Sequence, residues 1–493
     1  MSTPPNQRKT LSRRRRRLFR LASVLIGFAF VGLLEAVLWL AGVGGTNDSA
    51  ASLVEFSEVH PLFVANESAR RFEIPPSRQF FFQPESFSIE KSADEFRVFC
   101  FGGSTVQGRP YSIETSFTTW LELALKAAQP DRSWEVVNCG GVSYASYRLV
   151  PIVRESLQYS PDLWIVYTGH NEFLEERSYG EVKRQPQWVR SVIDRVATSR
   201  IYGVARSFCQ EPQIGEKISL PAEVDALLDY QGGLSKYHRN DSLREAVIDE
   251  FRRNIRQMIS IANQNNIPIL FINPVSNLRD TPPFKVEPPA GMNTEQRVEL
   301  QRSWQEAKDA SWNDLGAKLA KVESVLRIDD RHCEANFLLA KVYEALGEYK
   351  HAKEAYLLAK DEDVCPLRML EPMHEVLKNV TSDTDTELID IRAFFEARSE
   401  FGIPGDNELI DHVHPRIEGH QMIADEIFKS LVRRGTVQTT AGWEVRKRDL
   451  FRENFESLPE NYFPESVARL RGLELWTQGR VTRLKLVEHS ASE

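Results

Sequence analysis

The stretch EFRVFCFGGST, residues 95–105, decides the fold class. Its first seven residues are mostly apolar and typical of a short buried strand, and the polar turn Gly102-Gly103-Ser104-Thr105 follows directly. Four later stretches have the same strand-like character: 134–138, 163–168, 268–273 and 387–391. Helical patterns at 116–128, 146–158 and 243–264 lie between them. Strands that alternate with helices predict an α/β fold, with a parallel sheet covered by helices on both faces.

Composition limits the classes of protein that the chain can belong to. It has 493 residues, 42% of them hydrophobic and 27% charged, which suits two or three folded units and excludes disorder for most of the chain. Five cysteines in this length exclude a disulfide scaffold. Cys100 and Cys139 lie near the ends of strands that should be neighbours. Buried free thiols are the favoured interpretation of this pair, with a disulfide as the alternative for an exported protein.

The N-terminal region predicts a membrane anchor. Residues 1–20 carry eight basic side chains and no acidic one, and Leu21–Val43 contains Glu35 as its one ionisable residue. An apolar segment of this length can cross a bilayer core of about 30 Å. The positive-inside rule then predicts a basic cytoplasmic tail at 1–20, a transmembrane helix at 21–43 and an extracytoplasmic remainder, periplasmic or extracellular. A cleaved signal peptide is the competing interpretation.

The remainder of the chain is acidic, with 54 basic against 70 acidic residues. That balance argues against nucleic acid as a partner. The patterns predict the following segments: a stalk or lead-in at 44–93, the first part of the α/β domain at 94–294 with an insertion at 173–242, a helical insertion at 295–380, the second part of the domain at 381–435, and a C-terminal helical extension at 436–493. Three interpretations of the insertion at 173–242 stay open: a lid over the site, a surface that packs on the membrane, and an additional helix on the body of the domain.

The helical insertion resembles a tetratricopeptide repeat over residues 336–359. Small residues at Ala340, Ala352 and Ala359 would let two paired helices approach closely, and tyrosines occupy the spacing between them. A second match begins at Trp312 and breaks off early. One and a half repeats cannot make a long solenoid. A structural role and a groove for a protein partner both remain open.

Four polar loops follow the predicted strands. They are Gly102–Thr105, Asn138–Ser143, Gly169–Glu172 and, far downstream, Asp411–Pro415. Each alone is a weak signal. Functional groups in a parallel sheet gather at the carboxyl ends of the strands, so all four loops are expected at one edge.

Taken in order, these loops resemble the four motif blocks of the SGNH/GDSL hydrolases, over residues of about 95–175, 243–280 and 385–432. The resemblance implies a flavodoxin-like three-layer α/β/α fold with the helical insertion inside it. It implies a nucleophile at Ser104, an oxyanion hole formed by Ser104, Gly140 or Gly141, and Asn171, and a catalytic pair of Asp411 and His414. Two departures are visible: Gly-Ser-Thr stands where Gly-Asp-Ser is usual, and Asn-Glu where Asn-Asp is common.

The residue types support the same chemistry. A serine hydroxyl becomes a good nucleophile when an imidazole takes its proton, and the imidazole needs a carboxylate to fix its tautomer. Asp411 and His414, three residues apart, can be delivered by one short loop. The Ser104 and Gly140 backbone N–H groups and the Asn171 amide could stabilise the oxyanion. The alternatives are that Ser104 caps a helix, that the glycines only form a turn, and that Asn171 bonds its own turn.

Other polar residues near these loops have open roles. His412 and His414 with Asp411 could form a metal set, but no further ligand cluster accompanies them, so neither a metal nor a cofactor is predicted. Contact with substrate and simple exposure stay open for His170. For Arg279, a charge anchor for substrate and a brace with Asp280 stay open.

The sequence therefore predicts a membrane-anchored, extracytoplasmic serine esterase. It would hydrolyse or transfer an acyl ester, on a carbohydrate or lipid, through an acyl-Ser104 intermediate. The rival interpretation is an envelope interaction or assembly protein that binds a partner through the tetratricopeptide-like segment and carries a vestigial hydrolase domain.

Overall fold

The computed structural model describes residues 61–175, 224–229 and 233–478, together with the helical positions Leu33, Leu34 and Val37. Within these parts of the chain, no helix is both long and apolar enough to traverse a bilayer. The predicted tail at 1–20, the anchor at 21–43 apart from those three positions, and most of the insertion at 173–242 lie outside the described residues.

The strands of the described residues form two sheets. Their bounds are β1 Val64–Asn66, β2 Arg71–Glu73, β3 Ser86–Ser88, β4 Glu95–Gly102, β5 Ser133–Gly140, β6 Leu163–Tyr167, β7 Ile269–Ile272 and β8 Glu387–Ile389. The second sheet is entirely parallel, in the order β5-β4-β6-β7-β8. Counted from β4 this is the flavodoxin-like order 2-1-3-4-5. The prediction of a parallel α/β sheet from five buried strands is confirmed.

Helices connect the strands and extend beyond them. Their bounds are α1 Ser104–Gln107, α2 Phe117–Ala128, α3 Ser146–Ser156, α4 Asp241–Gln264, α5 Thr294–Asp309, α6 Leu315–Ile328, α7 Cys333–Ala345, α8 Tyr349–Asp361, α9 Glu371–Asp383, α10 Ile391–Glu396, α11 Ile417–Arg433, α12 Trp443–Glu456 and α13 Tyr462–Thr477. The side chains of Ser116 and Asn240 cap α2 and α4, each accepting a backbone N–H of the first turn. Such caps explain why these helices begin within two residues of the predicted positions.

The parallel sheet is buried on both faces, which makes the fold three-layered. Phe99 and Trp164 point to the face covered by α3, α4 and α9. Cys100 and Ile165, one residue further along their strands, point to the face covered by α2 and α11. This alternation follows from the two-residue period of a strand. Cys100 and Cys139 are buried free thiols, as favoured from the sequence.

The first sheet corrects the prediction of an irregular stalk at 44–93, because from residue 61 onward the chain is folded against the domain. β1, β2 and β3 pair as an antiparallel meander. Phe87 lies 4.8 Å from Phe63 and 5.4 Å from Phe99 between ring centroids, so this sheet shares the core of the central one. The backbone N–H groups of Leu62 and Phe63 also donate to the Glu155 carboxylate.

The helical insertion has paired helices where the sequence places them. In the hairpin of α7 and α8, Ala340, Ala352 and Tyr356 are buried against one another, and the Tyr356 hydroxyl donates to Glu344 at 2.7 Å. Assignment to the tetratricopeptide family stays a prediction. Arg279 corrects a second expectation: its guanidinium pairs with Glu344 at 2.5 Å and Glu400 at 2.6 Å, and so braces α7 against the domain instead of pairing with Asp280.

Candidate active site

The candidate nucleophile stands at the junction of β4 and α1. β4 ends at Gly102, Gly103 is the N-cap of α1, and Ser104 is its first helical residue with a partly exposed side chain. Ser104 therefore does not cap the helix. A Cβ on Gly102 would lie 2.2 Å from the Tyr167 carbonyl oxygen, and one on Gly103 would lie 2.5 Å from the Asn171 amide nitrogen. Glycine at both positions lets the turn approach β6 and the loop that follows it.

Three predicted residues meet in one line of hydrogen bonds. The Ser104 Oγ lies 2.7 Å from His414 Nε2, and His414 Nδ1 lies 2.6 Å from Asp411 Oδ2. Ser104 and His414 are 310 positions apart in the sequence. The loop between α10 and α11 supplies both Asp411 and His414, which agrees with the three-residue spacing. In this arrangement the hydroxyl can donate to Nε2 while Nδ1–H donates to the carboxylate.

The Asp411 carboxylate is held in one orientation and kept ionised. Its Oδ1 accepts the backbone N–H of Val413 at 2.8 Å and that of His414 at 2.9 Å. Burial alone would raise the pKa of Asp411, but the His414 and His412 rings and these hydrogen bonds outweigh it and hold the pKa below its ordinary value. The second oxygen, Oδ2, is therefore a charged acceptor aimed at His414.

Asn171 lies beside the nucleophile, in the loop after β6. Its Nδ2 donates to the Tyr144 carbonyl oxygen at 3.1 Å. An amide nitrogen carries two hydrogens, so a second one remains for another acceptor. The bond to Tyr144 fixes the orientation of that amide next to Gly103 and Ser104.

The structure corrects the oxyanion role predicted for Gly140 and Gly141. The Gly140 N–H donates to Asn138 Oδ1 at 2.9 Å, and the Gly141 N–H donates to the Gly102 carbonyl at 3.0 Å. Both donors are therefore used inside the fold. Gly140 instead makes room for α1, because a Cβ at position 140 would lie 2.2 Å from the Gln107 backbone nitrogen.

Ser143 is the residue that sequence reasoning missed. Its φ is +63°, in the left-handed region that favours glycine. Among the described residues no acceptor takes its backbone N–H, whereas the neighbouring Val142 and Tyr144 N–H groups bond to Phe81 and Gly141. Ser143 also directly precedes Tyr144, whose carbonyl holds Asn171. Its N–H is thus the better candidate for the second backbone donor, but a serine gives no sequence signal for a positive φ.

His170 is buried, so the expectation of simple exposure is wrong. Its Nδ1 accepts the backbone N–H of Met369 at 3.2 Å, which places any proton of the neutral ring on Nε2. Burial, with contributions from His412 and His414, lowers the pKa of His170 well below its ordinary value. Nε2 has no hydrogen-bond partner among the described residues. A neutral donor therefore stands next to Asn171.

His412 is also buried and stays neutral. Its ring meets that of Phe284 edge-on at 5.3 Å, and burial lowers its pKa to about 4. In the described parts of the chain, no three residues of the metal-ligating types His, Cys, Asp and Glu are grouped to hold an ion.

Glu172 explains why glutamate follows Asn171 in this chain. Its side chain is fully buried and accepts both the backbone N–H of Ser146 at 2.7 Å and the Ser146 hydroxyl at 2.9 Å. Ser146 is the first residue of α3, so Glu172 ties the loop after β6 to that helix. The longer side chain reaches a neighbouring element and has a structural partner of its own.

Comparison with known proteins gives remote structural matches. No protein-family model and no curated protein matches the sequence. The structure resembles a lipase/acylhydrolase from Enterococcus faecalis, with a TM-score of 0.31, 11% identity, and coverage of 70% of this chain and 100% of that one. It also resembles an acetylxylan esterase from Geobacillus stearothermophilus, with a TM-score of 0.31, 12% identity, and coverage of 69% and 94%.

A protein described as lipolytic and of the G-D-S-L family, from Desulfitobacterium hafniense, matches with a TM-score of 0.29 and 11% identity over 68% of this chain and 98% of that one. None of these three proteins is more than 12% identical to this chain. Because the structural overlap is small, the chemistry of this chain has to be judged from its own side chains.

Proposed function

We propose that this chain is a serine esterase of the SGNH type that works through an acyl-Ser104 intermediate. The observation that carries the proposal is the unbroken line from Ser104 Oγ to His414 Nε2, at 2.7 Å, and from His414 Nδ1 to Asp411 Oδ2, at 2.6 Å. A hydroxyl, an imidazole and a buried carboxylate in this order form the apparatus of acyl transfer to serine.

In the acylation step, His414 takes the Ser104 proton as the hydroxyl oxygen attacks the ester carbonyl carbon. Asp411 stabilises the imidazolium that forms, since its carboxylate is ionised and bonded to Nδ1–H. The oxyanion would be met by the Ser104 backbone N–H, the free hydrogen of the Asn171 amide and the Ser143 N–H. His414 then returns the proton to the departing alcohol, which leaves the acyl group on Ser104.

The acyl group leaves by attack of a hydroxyl on the acyl-enzyme carbonyl, with His414 again as the base. When water attacks, the reaction is hydrolysis; when a sugar or lipid hydroxyl attacks, it is acyl transfer. We propose an acylated carbohydrate or lipid as the substrate and an extracytoplasmic domain anchored by residues 21–43. The anchor is supported by the apolar run behind eight basic residues.

The rival, a partner-binding protein with a decayed hydrolase domain, fits the geometry less well. A site without chemistry has no need of a hydroxyl within hydrogen-bond distance of an imidazole whose other nitrogen meets a carboxylate. The helical insertion is compatible with a partner in either case. A protein partner for the tetratricopeptide-like segment therefore stays a prediction beside the esterase proposal.

Ser104→Ala tests the proposal, because it removes the nucleophile and little volume. With p-nitrophenyl acetate, turnover by the purified protein should fall to background, and a fluorophosphonate probe should label the wild type but not the variant. Ser68→Ala, the same change at an exposed serine, is the matched control and should keep full activity. Equal turnover by Ser104→Ala and the wild type would refute the proposal.

A further inference from the structure

The loop that carries Ser143 is held by a segment far from it in sequence. The lead-in turn, residues 76–82, lies ahead of the α/β domain in the chain, yet its backbone meets the loop after β5. The Phe81 carbonyl accepts the Val142 N–H at 2.8 Å, and Phe82 forms an antiparallel bridge with Gly141. A Cβ on Gly141 would lie 2.8 Å from the Phe82 ring, so the two segments are in tight contact.

The same carbonyl also holds the nucleophile helix. Gln107, the last residue of α1, is buried, and its Nε2 donates to the Phe81 carbonyl oxygen at 2.8 Å. One oxygen therefore takes a bond from the helix that begins at Ser104 and another from Val142, the residue before Ser143. The spacing between the nucleophile and the loop is set through this shared acceptor.

A side chain of the lead-in turn makes a second tie. Arg78 is buried at 7% exposure, and its Nη2 donates to the Tyr144 hydroxyl at 3.1 Å. The Tyr144 ring packs edge-on against Phe82 at 4.7 Å. The Tyr144 carbonyl in turn accepts from Asn171. Arg78 also orders its own turn, because its carbonyl accepts the N–H groups of Phe81 and Phe82.

From these contacts we infer that the lead-in turn positions the oxyanion donors, with Arg78 and Gln107 as positioning residues that act through Tyr144 and Phe81. This inference rests on the proposed esterase function. The turn touches neither the Ser104 hydroxyl nor His414 by any hydrogen bond among the described residues. Its loss should weaken stabilisation of the oxyanion while leaving the proton transfer between Ser104 and His414 intact.

The test is a double-mutant cycle in the full-length protein with p-nitrophenyl acetate. Arg78→Met and Tyr144→Phe should each lower kcat about tenfold, since displaced donors lose a large part of their effect. KM should change less than twofold, and the pH profile of kcat/KM should keep its shape because the triad is untouched. The kcat of the double variant should be within about twofold of that of Tyr144→Phe, because Tyr144→Phe already removes the bond to Arg78, together with the hydroxyl's interaction with Arg148.

Arg70→Met is the matched control. Arg70 lies in the first sheet's outer turn, where its 71% exposed side chain pairs with the exposed Glu90. This variant should keep the wild-type kcat. An equal loss in Arg70→Met would mean that the whole sheet is being disturbed, and would overturn the inference.

Other outcomes separate the two proposals. Wild-type turnover that does not depend on Ser104 refutes the esterase function and this inference with it. Ser104-dependent turnover with an unchanged kcat in folded Arg78→Met refutes the inference alone. If Arg78→Met does not fold, Gln107→Met replaces it as the test, because it removes the bond from Gln107 to the Phe81 carbonyl. A wild-type kcat in Gln107→Met would then overturn the inference.

Discussion

Asp411→Asn is the sharpest perturbation of the site, because the surroundings fix which way the new amide must face. Asp411 Oδ1 accepts two backbone N–H groups, from Val413 and His414. An asparagine keeps these bonds only with its carbonyl oxygen in that place. Its NH2 group then takes the position of Oδ2 and points at His414 Nδ1, which is 2.6 Å from Oδ2 in the wild type.

An amide donor that faces Nδ1 forces the His414 imidazole into its other tautomer. Nδ1 must accept, so the proton moves to Nε2, and the nitrogen that faces Ser104 can no longer act as a base. The equivalent loss in a serine protease is about 10⁴-fold in kcat, or about 5.5 kcal/mol of transition-state stabilisation. We expect a reduction of about 10³–10⁴-fold here.

The assay is kcat for p-nitrophenyl acetate, with circular dichroism to verify folding. Asp406→Asn is the matched control, since Asp406 lies on the same loop and is exposed, and it should keep activity within about twofold. A folded Asp411→Asn variant with more than a tenth of the wild-type kcat would refute the assignment of Asp411 as the residue that orients His414.

Three further predictions address two of the oxyanion donors and one half-buried carboxyl group. Asn171→Ala should lower kcat about 10²–10³-fold with little change in KM, because it removes one donor to the transition state; an unchanged kcat would remove Asn171 from the site. Ser143→Gly should keep kcat within about twofold and raise the free energy of unfolding by about 1 kcal/mol in urea titrations, since the backbone N–H stays and the positive φ is relieved; a large fall in kcat would assign the role to the hydroxyl instead. Glu85 is half-buried, and the loss of solvent around its carboxyl raises its pKa to about 7 from 4.5. Its protonated form is favoured in the fold, so between pH 4.5 and 7 the wild type loses stability as pH rises. Going from pH 5 to pH 8, the free energy of unfolding of Glu85→Gln should therefore gain about 2 kcal/mol relative to that of the wild type, as measured by urea titration. The same difference between the two proteins at both pH values would contradict the raised pKa of Glu85.

The parallel sheet and its helices could be predicted because local patterns determine them. The five strands from Glu95 to Ile389 are runs of apolar residues that both layers bury, and caps such as Ser116 mark where helices begin. Ser104 and Asn171 could be predicted because each lies in the loop that directly follows a strand. Asp411 and His414 could be predicted because their three-residue spacing resembles the last motif of the family, although α10 separates them from β8.

What the sequence could not predict depends on contacts between distant residues. β1, β2 and β3 have three residues each, too few for a two-residue period to be visible. The pairing of Arg279 with Glu344 and Glu400 joins residues 65 and 121 positions apart. A glycine is the obvious residue for a close approach to substrate, so the sequence predicts the second oxyanion donor at Gly140 or Gly141. In the structure, the absence of a side chain at Gly140 makes room for the Gln107 backbone, and the residue with a positive φ is Ser143.

The distance of 310 residues between Ser104 and His414 has a consequence for how the protein is made. A ribosome that adds 5–20 residues per second needs about 15–60 s to cover this stretch. Throughout that time the nascent chain has a serine without its base, since the loop with His414 comes after the helical insertion has been synthesised. On the proposed mechanism, the newly made chain cannot attack an ester until His414 has been synthesised and its loop has folded beside Ser104.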